Sequence, residues 1–152
     1  MTLSYSEYQA IATKIQPNGQ AFIDGKFCDA VDGQKFETIN PATGQVLASV
    51  AHCKSADVDR AVKAARRVFN AGTWSRAEPE ERKEVLLKVA SLVREHTPEL
   101  AVLESLDTGK TINDCMDEIG GEVVSFFQWY AELGDKSFGK IAPTGPSALA
   151  LI

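Results

Sequence analysis

Nothing in the sequence marks a membrane span, a metal cluster or a nucleic-acid surface. Its apolar stretches fall far short of the ~20 residues that a bilayer helix needs. Residues 1–16 are polar and mixed, without the apolar segment of a secretory leader. Only three cysteines occur, Cys28, Cys53 and Cys115. An odd number at wide spacing is not a disulfide framework. The lack of any Cys-x-x-Cys pair or Cys/His cluster argues against zinc, and free thiols fit a reducing compartment. Lysine and arginine total 16 against 21 aspartates and glutamates, a net charge of −5, and no basic block stands out. Phosphate backbones and anionic lipids are repelled on average, so neither nucleic acid nor membrane is expected as a partner. What remains is a 152-residue chain with 44% hydrophobic and 24% charged residues. That is the balance of one ordered domain, and its expected location is the cytoplasm.

Short β segments come first. Ala21-Phe22-Ile23 and Lys26-Phe27-Cys28 flank Asp24-Gly25, a two-residue hairpin signal because a type I′ turn needs positive φ at both central positions. Residues 36–39 and 45–51 form a second pair around Asn40-Pro41-Ala42-Thr43-Gly44, where Pro41 presets φ and Gly44 closes the turn. Four helices follow. The first starts at Ser55 as N-cap, with Asp57 in its first turn, repeats apolar residues from Val58 to Phe69 and stops at Gly72. Pro79 and Thr97-Pro98 open the next two, and Gly109 ends the third. The fourth is the longest, over residues 111–135. Ile112, Met116, Ile119, Val123, Phe126, Tyr130 and Leu133 alternate steps of four and three along one apolar stripe. Gly120-Gly121 in its middle costs roughly 1 kcal/mol per glycine against alanine, so a close approach is expected there. The apolar run Ala148-Leu149-Ala150-Leu151-Ile152 stops in mid-pattern, as a truncated strand would.

Candidate chemistry is sparse. Asp114 and Asp117 flank Cys115 and raise its thiol pKa, which makes a helix-packing role the expected one. His52 and His96 stand alone at element ends, where surface or capping roles fit. Gly109-Lys110-Thr111 resembles the end of a phosphate loop, but Leu103 and Glu104 occupy the region of the required earlier glycine, so it reads as a helix stop followed by a new N-cap.

Several segments together resemble the aldehyde dehydrogenase family. They are Phe22-Ile23-Asp24-Gly25, Thr38-Ile39-Asn40-Pro41-Ala42-Thr43-Gly44, Ala61-Val62-Lys63-Ala64-Ala65-Arg66, Phe69 with Trp74-Ser75, Leu103-Glu104-Ser105-Leu106-Asp107-Thr108-Gly109-Lys110, and Trp129-Tyr130-Ala131. The likeness runs in register from about Gln20 to the end. Trp74-Ser75 and Leu106-Asp107-Thr108-Gly109-Lys110 lean toward the branch that takes aminoaldehydes. The resemblance implies an α/β fold. Residues 1–19 would be an N-terminal extension, 20–143 the first part of the nucleotide-binding domain, and 144–152 the start of an oligomerisation strand.

It also implies oxidation of a small-molecule aldehyde with NAD or NADP. A cysteine thiolate attacks the aldehyde, and the resulting thioester is hydrolysed. The family's nucleophile lies in a Gly-Gln-x-Cys stretch and its base in Glu-Leu-Gly-Gly, and neither motif occurs here. No catalytic or nucleotide-binding residue is therefore assigned, and the chain alone is expected to be inactive. Its partners would be the rest of its own polypeptide and further copies, as a homodimer or homotetramer. Two sets match supporting positions. Glu118, Ile119 and Glu122 would wall the aldehyde's approach tunnel, where two glutamates favour a cationic substrate; the alternative is that both are solvated surface charges. Main-chain groups of Thr38, Ile39 and Asp107 would hold a monovalent cation; the alternative is that Asp107 closes the turn before Gly109. A stand-alone helical interaction module derived from the enzyme is the competing reading of the whole chain. For the leading reading, Val58, Val62, Val85, Leu92, Val123 and Phe126 are expected to lack full cover.

Overall fold

Asp24 and Gly25 both take positive φ, 56° and 77°, so the two-residue turn forms as its sequence requires. It joins β1 (Ala21–Ile23) to β2 (Lys26–Cys28), with Ala21 opposite Cys28. β3 (Lys35–Ile39) pairs antiparallel with β4 (Val46–Ala51), and the register slips by one residue between Thr38 and Ile39. The structure is a computed structural model and describes residues 3–136, 138–142 and 146–151. A third ribbon pairs β5 (Ile141–Ala142) with β6 (Ala150–Leu151). The strand expected over 144–152 therefore meets its own chain at Ala150 and Leu151, and residues 143–145 and 152 of the expected elements lie outside the described residues.

A helix precedes these ribbons. α1 (Tyr5–Ala12) begins with a capping box: the Glu7 carboxylate accepts from the Ser4 N–H at 2.7 Å while Ser4 Oγ accepts from Glu7 N at 3.4 Å. It buries Tyr8 and packs on the helix Thr97–Thr108. The first helix is thus packed against the rest of the chain.

The other helices follow the sequence signals closely. α2 (Ser55–Ala71) ends at Gly72, α3 (Pro79–Glu95) opens on its proline, and α4 (Thr97–Thr108) ends at Gly109. One start differs. Lys54, not Ser55, is the N-cap of α2, and Asp57 does the capping from inside the helix. Its carboxylate accepts from Lys54 N at 3.1 Å and from Val31 N at 2.9 Å, with Arg60 at 3.4 Å. Asp57 is only 3% exposed. Three charge-assisted partners are what make a buried carboxylate tolerable.

The last helical rod is where the sequence pattern breaks. α5 (Ile112–Asp117) runs into a π-helical turn, Glu118–Val123, and then into α6 (Val124–Leu133). The rod is continuous over 112–133, but the π turn contains an extra residue. One residue of an α-helix is about 100° of rotation. The buried face therefore passes from Cys115 to Val124 and Ala131, while Phe126, Tyr130 and Leu133 of the expected stripe are exposed. The core itself is built from small side chains. Ala90, Ala101, Val102, Cys115, Val124 and Ala131 are buried where α3, α4 and the rod meet. Lys83 on α3 reaches Asp135 at 3.2 Å and Glu132 at 3.5 Å, tying α3 to the end of α6. Among the described residues no helix is long and apolar enough to cross a membrane.

Candidate functional site

The rod 112–133 separates two grooves, and its phase decides which side chains enter each. Thr111 starts it, its hydroxyl accepting from Asp114 N at 3.3 Å. Just before, Lys110 bonds Glu118 at 2.6 Å and pairs with Glu104 at 3.4 Å. The Glu118 hydrogen bond raises the ammonium's pKa, against a smaller desolvation effect, so Lys110 stays charged throughout the neutral range. Glu118 is thereby engaged with a neighbouring cation.

On the outer side, Asp117, Gly121, Glu122, Ser125, Phe126, Trp129 and Tyr130 line an open groove of about 690 Å³. Two carboxylates and three aromatic rings share one surface. Phe126, Trp129 and Tyr130 are 58%, 68% and 59% exposed, so the rings stand in the groove and not in the core. Carboxylates draw in a cation and ring faces stabilise it at short range.

On the inner side, a second groove of about 430 Å³ lies against β3 and α4, and Ile119 shares it with Thr38, Glu104 and Asp107. Thr38 donates its hydroxyl to Asp107 Oδ1 at 2.6 Å, bridging elements 69 residues apart. The turn before Gly109 closes through Gly109 N–H to the Ser105 carbonyl at 3.0 Å. Asp107 thus binds Thr38 instead of closing that turn. Ile39 pairs with Val46, and its side chain is exposed. Among the described residues no three His, Cys, Asp or Glu side chains group as metal ligands, so a cation at Thr38 and Asp107 would depend on hydroxyl and carbonyl oxygens.

The structure thus divides the three expected tunnel residues. Glu122 faces the outer groove, Ile119 the inner one, and Glu118 is held by Lys110. Sequence reasoning did not single out Asp117, Ser125 and Trp129; it put Phe126 and Tyr130 on one apolar stripe and expected Phe126 to lack full cover, and Phe126 is exposed. The available signal was the excess of large aromatics over residues 126–130 on a helix whose interior is otherwise small.

Two of the three thiols, Cys115 and Cys53, are poorly suited to attack. Cys115 is fully buried; burial is the main cause that pushes its thiol pKa up, with Glu104 next, then Glu118 and Asp114, against Lys110. Asp117, expected to contribute, does not figure among these causes. Cys53 is also raised, by desolvation first and the Asp57 carboxylate second. His52 and His96 are exposed, His52 edge-on to Phe36 at 5.9 Å between ring centroids. The described strands make only antiparallel two-stranded ribbons, with no strand–glycine turn–helix unit to cradle a dinucleotide phosphate.

Comparison with known proteins accounts for this incomplete chemistry. The profile of the aldehyde dehydrogenase family matches residues 27–152. Aminoacetaldehyde dehydrogenase of Pseudomonas aeruginosa is 48% identical over 150 residues, covering 99% of this chain and 30% of that protein. The NADP/NAD-dependent aldehyde dehydrogenase PuuC of Escherichia coli is 43% identical over 151 residues, 99% of this chain and 30% of the relative. Among solved structures, Pseudomonas syringae indole-3-acetaldehyde dehydrogenase AldA, in complex with NAD+ and IAA, superposes with a TM-score of 0.92 at 37% identity, over 99% of this chain and 30% of that one. The gamma-glutamyl-gamma-aminobutyraldehyde dehydrogenase of Burkholderia cenocepacia gives 0.90 at 44% identity, over 94% and 29%. The chain spans about 30% of the length of the curated relatives it matches. Over nearly all of its own length, in sequence and in fold, this chain belongs to the aldehyde dehydrogenase family.

Proposed function

We propose that this chain forms the substrate-approach wall of an enzyme that oxidises an ammonium-bearing aldehyde to a carboxylic acid with NAD or NADP. The oxidation runs through a thiohemiacetal on a cysteine that is none of Cys28, Cys53 and Cys115. The observation that carries the reading is the outer groove, where Asp117 and Glu122 sit beside Phe126, Trp129 and Tyr130. That lining favours a positively charged tail over a long apolar one. Two relatives act on aldehydes that carry nitrogen, as their names state. Glu122 is the tunnel-wall residue with the direct role. Glu118 orients Lys110, and Ile119 backs the wall from the inner side. Thr38, Ile39 and Asp107 would hold a monovalent cation through oxygen atoms. The nucleotide binds outside the described residues, in a cytoplasmic homodimer or homotetramer.

The test compares kcat/KM for an aminoaldehyde and for an uncharged aldehyde of equal length, in the protein that carries this chain. Glu122→Gln lowers kcat/KM about tenfold for the first, the loss of one partly desolvated charge contact, and leaves the second nearly unchanged. Equal losses on both would sink the charge reading. The 152-residue chain alone forms no NADH from aldehyde and NAD+. NADH formation that Cys115→Ser abolishes would overturn the assignment of the nucleophile elsewhere.

A further inference from the structure

We infer that Gly120 and Thr97 are positioning residues of the outer groove, because their contact holds the wide turn that swings Phe126 and Tyr130 out of the interior. The inference rests on reading that groove as the aldehyde's approach. It starts from helical phase. In an uninterrupted α-helix, Phe126, Tyr130 and Leu133 would continue the side defined by Met116, Ile119 and Val123. The extra residue of the turn Glu118–Val123 gives the interior to Val124 and Ala131 instead. The aromatic rings are then free to line the groove with Asp117 and Glu122.

A π turn is less favourable than α and persists where packing holds it. The packing here is specific. A Cβ on Gly120 would stand 2.9 Å from Thr97 Cγ2 and 3.4 Å from its Oγ1. Only glycine lets the rod close onto the start of α4 at this point. Thr97 is itself 7% exposed, and its hydroxyl donates to the Val93 carbonyl at 2.9 Å, which fixes the methyl toward the rod. The neighbouring glycine is different: a Cβ on Gly121 meets nothing within 4 Å. Both glycines cost similar helix propensity, so the contact and not the composition singles out Gly120.

The test uses 5-fluorotryptophan in the 152-residue chain, whose two tryptophans are Trp74 and Trp129. Trp74 lies in a separate groove with Phe22 and Phe69 and serves as the internal reference. Gly120→Ala moves the Trp129 fluorine resonance and leaves that of Trp74. Adding Thr97→Ser removes the obstructing methyl, keeps the hydroxyl and returns Trp129 to its original position. A Trp129 signal unmoved by Gly120→Ala, or moved and not restored by Thr97→Ser, overturns the inference. Should Gly120→Ala fail to fold, recovery of the fold in the double variant supports the contact, and its failure there counts against it. Binding of choline, measured against its neutral counterpart 3,3-dimethylbutanol, tests the groove's chemistry separately. Choline affinity falls about tenfold in Gly120→Ala and recovers in the double variant. A parent chain that binds no choline ends the ammonium reading, while the fluorine result still decides for or against Gly120.

Discussion

Two regions of this chain use their apolar residues in opposite ways. Where α3, α4 and the rod 112–133 meet, the buried residues are small, and Cys115 is the largest side chain that is fully enclosed. Around α2 and the β1–β2 hairpin the large residues face outward. Phe22, Val58, Val62, Phe69 and Trp74 are 64%, 56%, 57%, 59% and 45% exposed. The single buried residue of α2 is a charge, Asp57. In the first region, close helix approach does the work, and dispersion between backbones replaces bulky side chains. In the second, one hydrogen-bonded carboxylate anchors the helix while its apolar face stays open. Clustered exposed apolar residues mark surfaces that a partner covers, and the relatives are about three times the length of this chain.

The contrast makes the two regions respond differently to substitution. The largest effect is expected at the anchor. Asp57→Ala strands the Val31 and Lys54 N–H groups and should lower unfolding stability by about 3 kcal/mol. Chemical denaturation measures it, and a loss near zero would mean that α2 is not held through its first turn. A smaller effect is expected from overfilling the tight region. Ala101→Leu, at a position 0% exposed, should cost about 2 kcal/mol, whereas Val62→Lys on the open face should stay within about 0.5 kcal/mol. If Val62→Lys proves the more damaging of the two, the face of α2 is covered in solution and the contrast fails.

The smallest effect belongs to the surface network that ties the tight region's ends together. Hydrogen bonds from Lys136 and Lys83 hold the Asp135 carboxyl below its ordinary pKa, and Lys136 and Lys83 do the same for Glu132. A depressed carboxyl contributes stability above its unfolded pKa and loses it as pH falls through the lower, folded one. Asp135→Asn should therefore flatten the fall in melting temperature below about pH 4. Identical acid profiles for parent and variant would show that this network adds nothing. High salt should shrink the difference, since Glu132, Asp135 and Lys136 are exposed.

Much of the fold was legible because its signals are local. Asp24-Gly25, Pro79, Thr97-Pro98, Gly72 and Gly109 each act through the φ they allow or the N–H they lack, and each falls where the chain turns, starts or stops. Asp57 was legible as a first-turn residue, but its burial was not, since the Val31 N–H it accepts comes from another segment. α1 carries its own capping box in Ser4 and Glu7, yet it is a short helix with one buried residue and no apolar period to reveal it. Of the candidate site, Glu122 stands in the outer groove as expected, Ile119 stands on the other side of the rod, and Glu118 is taken by Lys110.

The sequence by itself determined the family, the first two ribbons and the helix starts and stops from α2 to α4, and the absence of a recognisable nucleophile motif. Those depend on residue identity and short-range backbone preference. Only the tertiary structure decided which face of the last rod is inside. A period read from residues 112–133 assumes 3.6 residues per turn throughout, and nothing in the one-dimensional pattern marks the π turn. Gly120 has to close on Thr97 for that turn to be held, and this contact joins residues 23 positions apart on separate helices. It rotates everything after Val123 by about 100°, sending Val124 and Ala131 inward and the aromatic rings toward the groove.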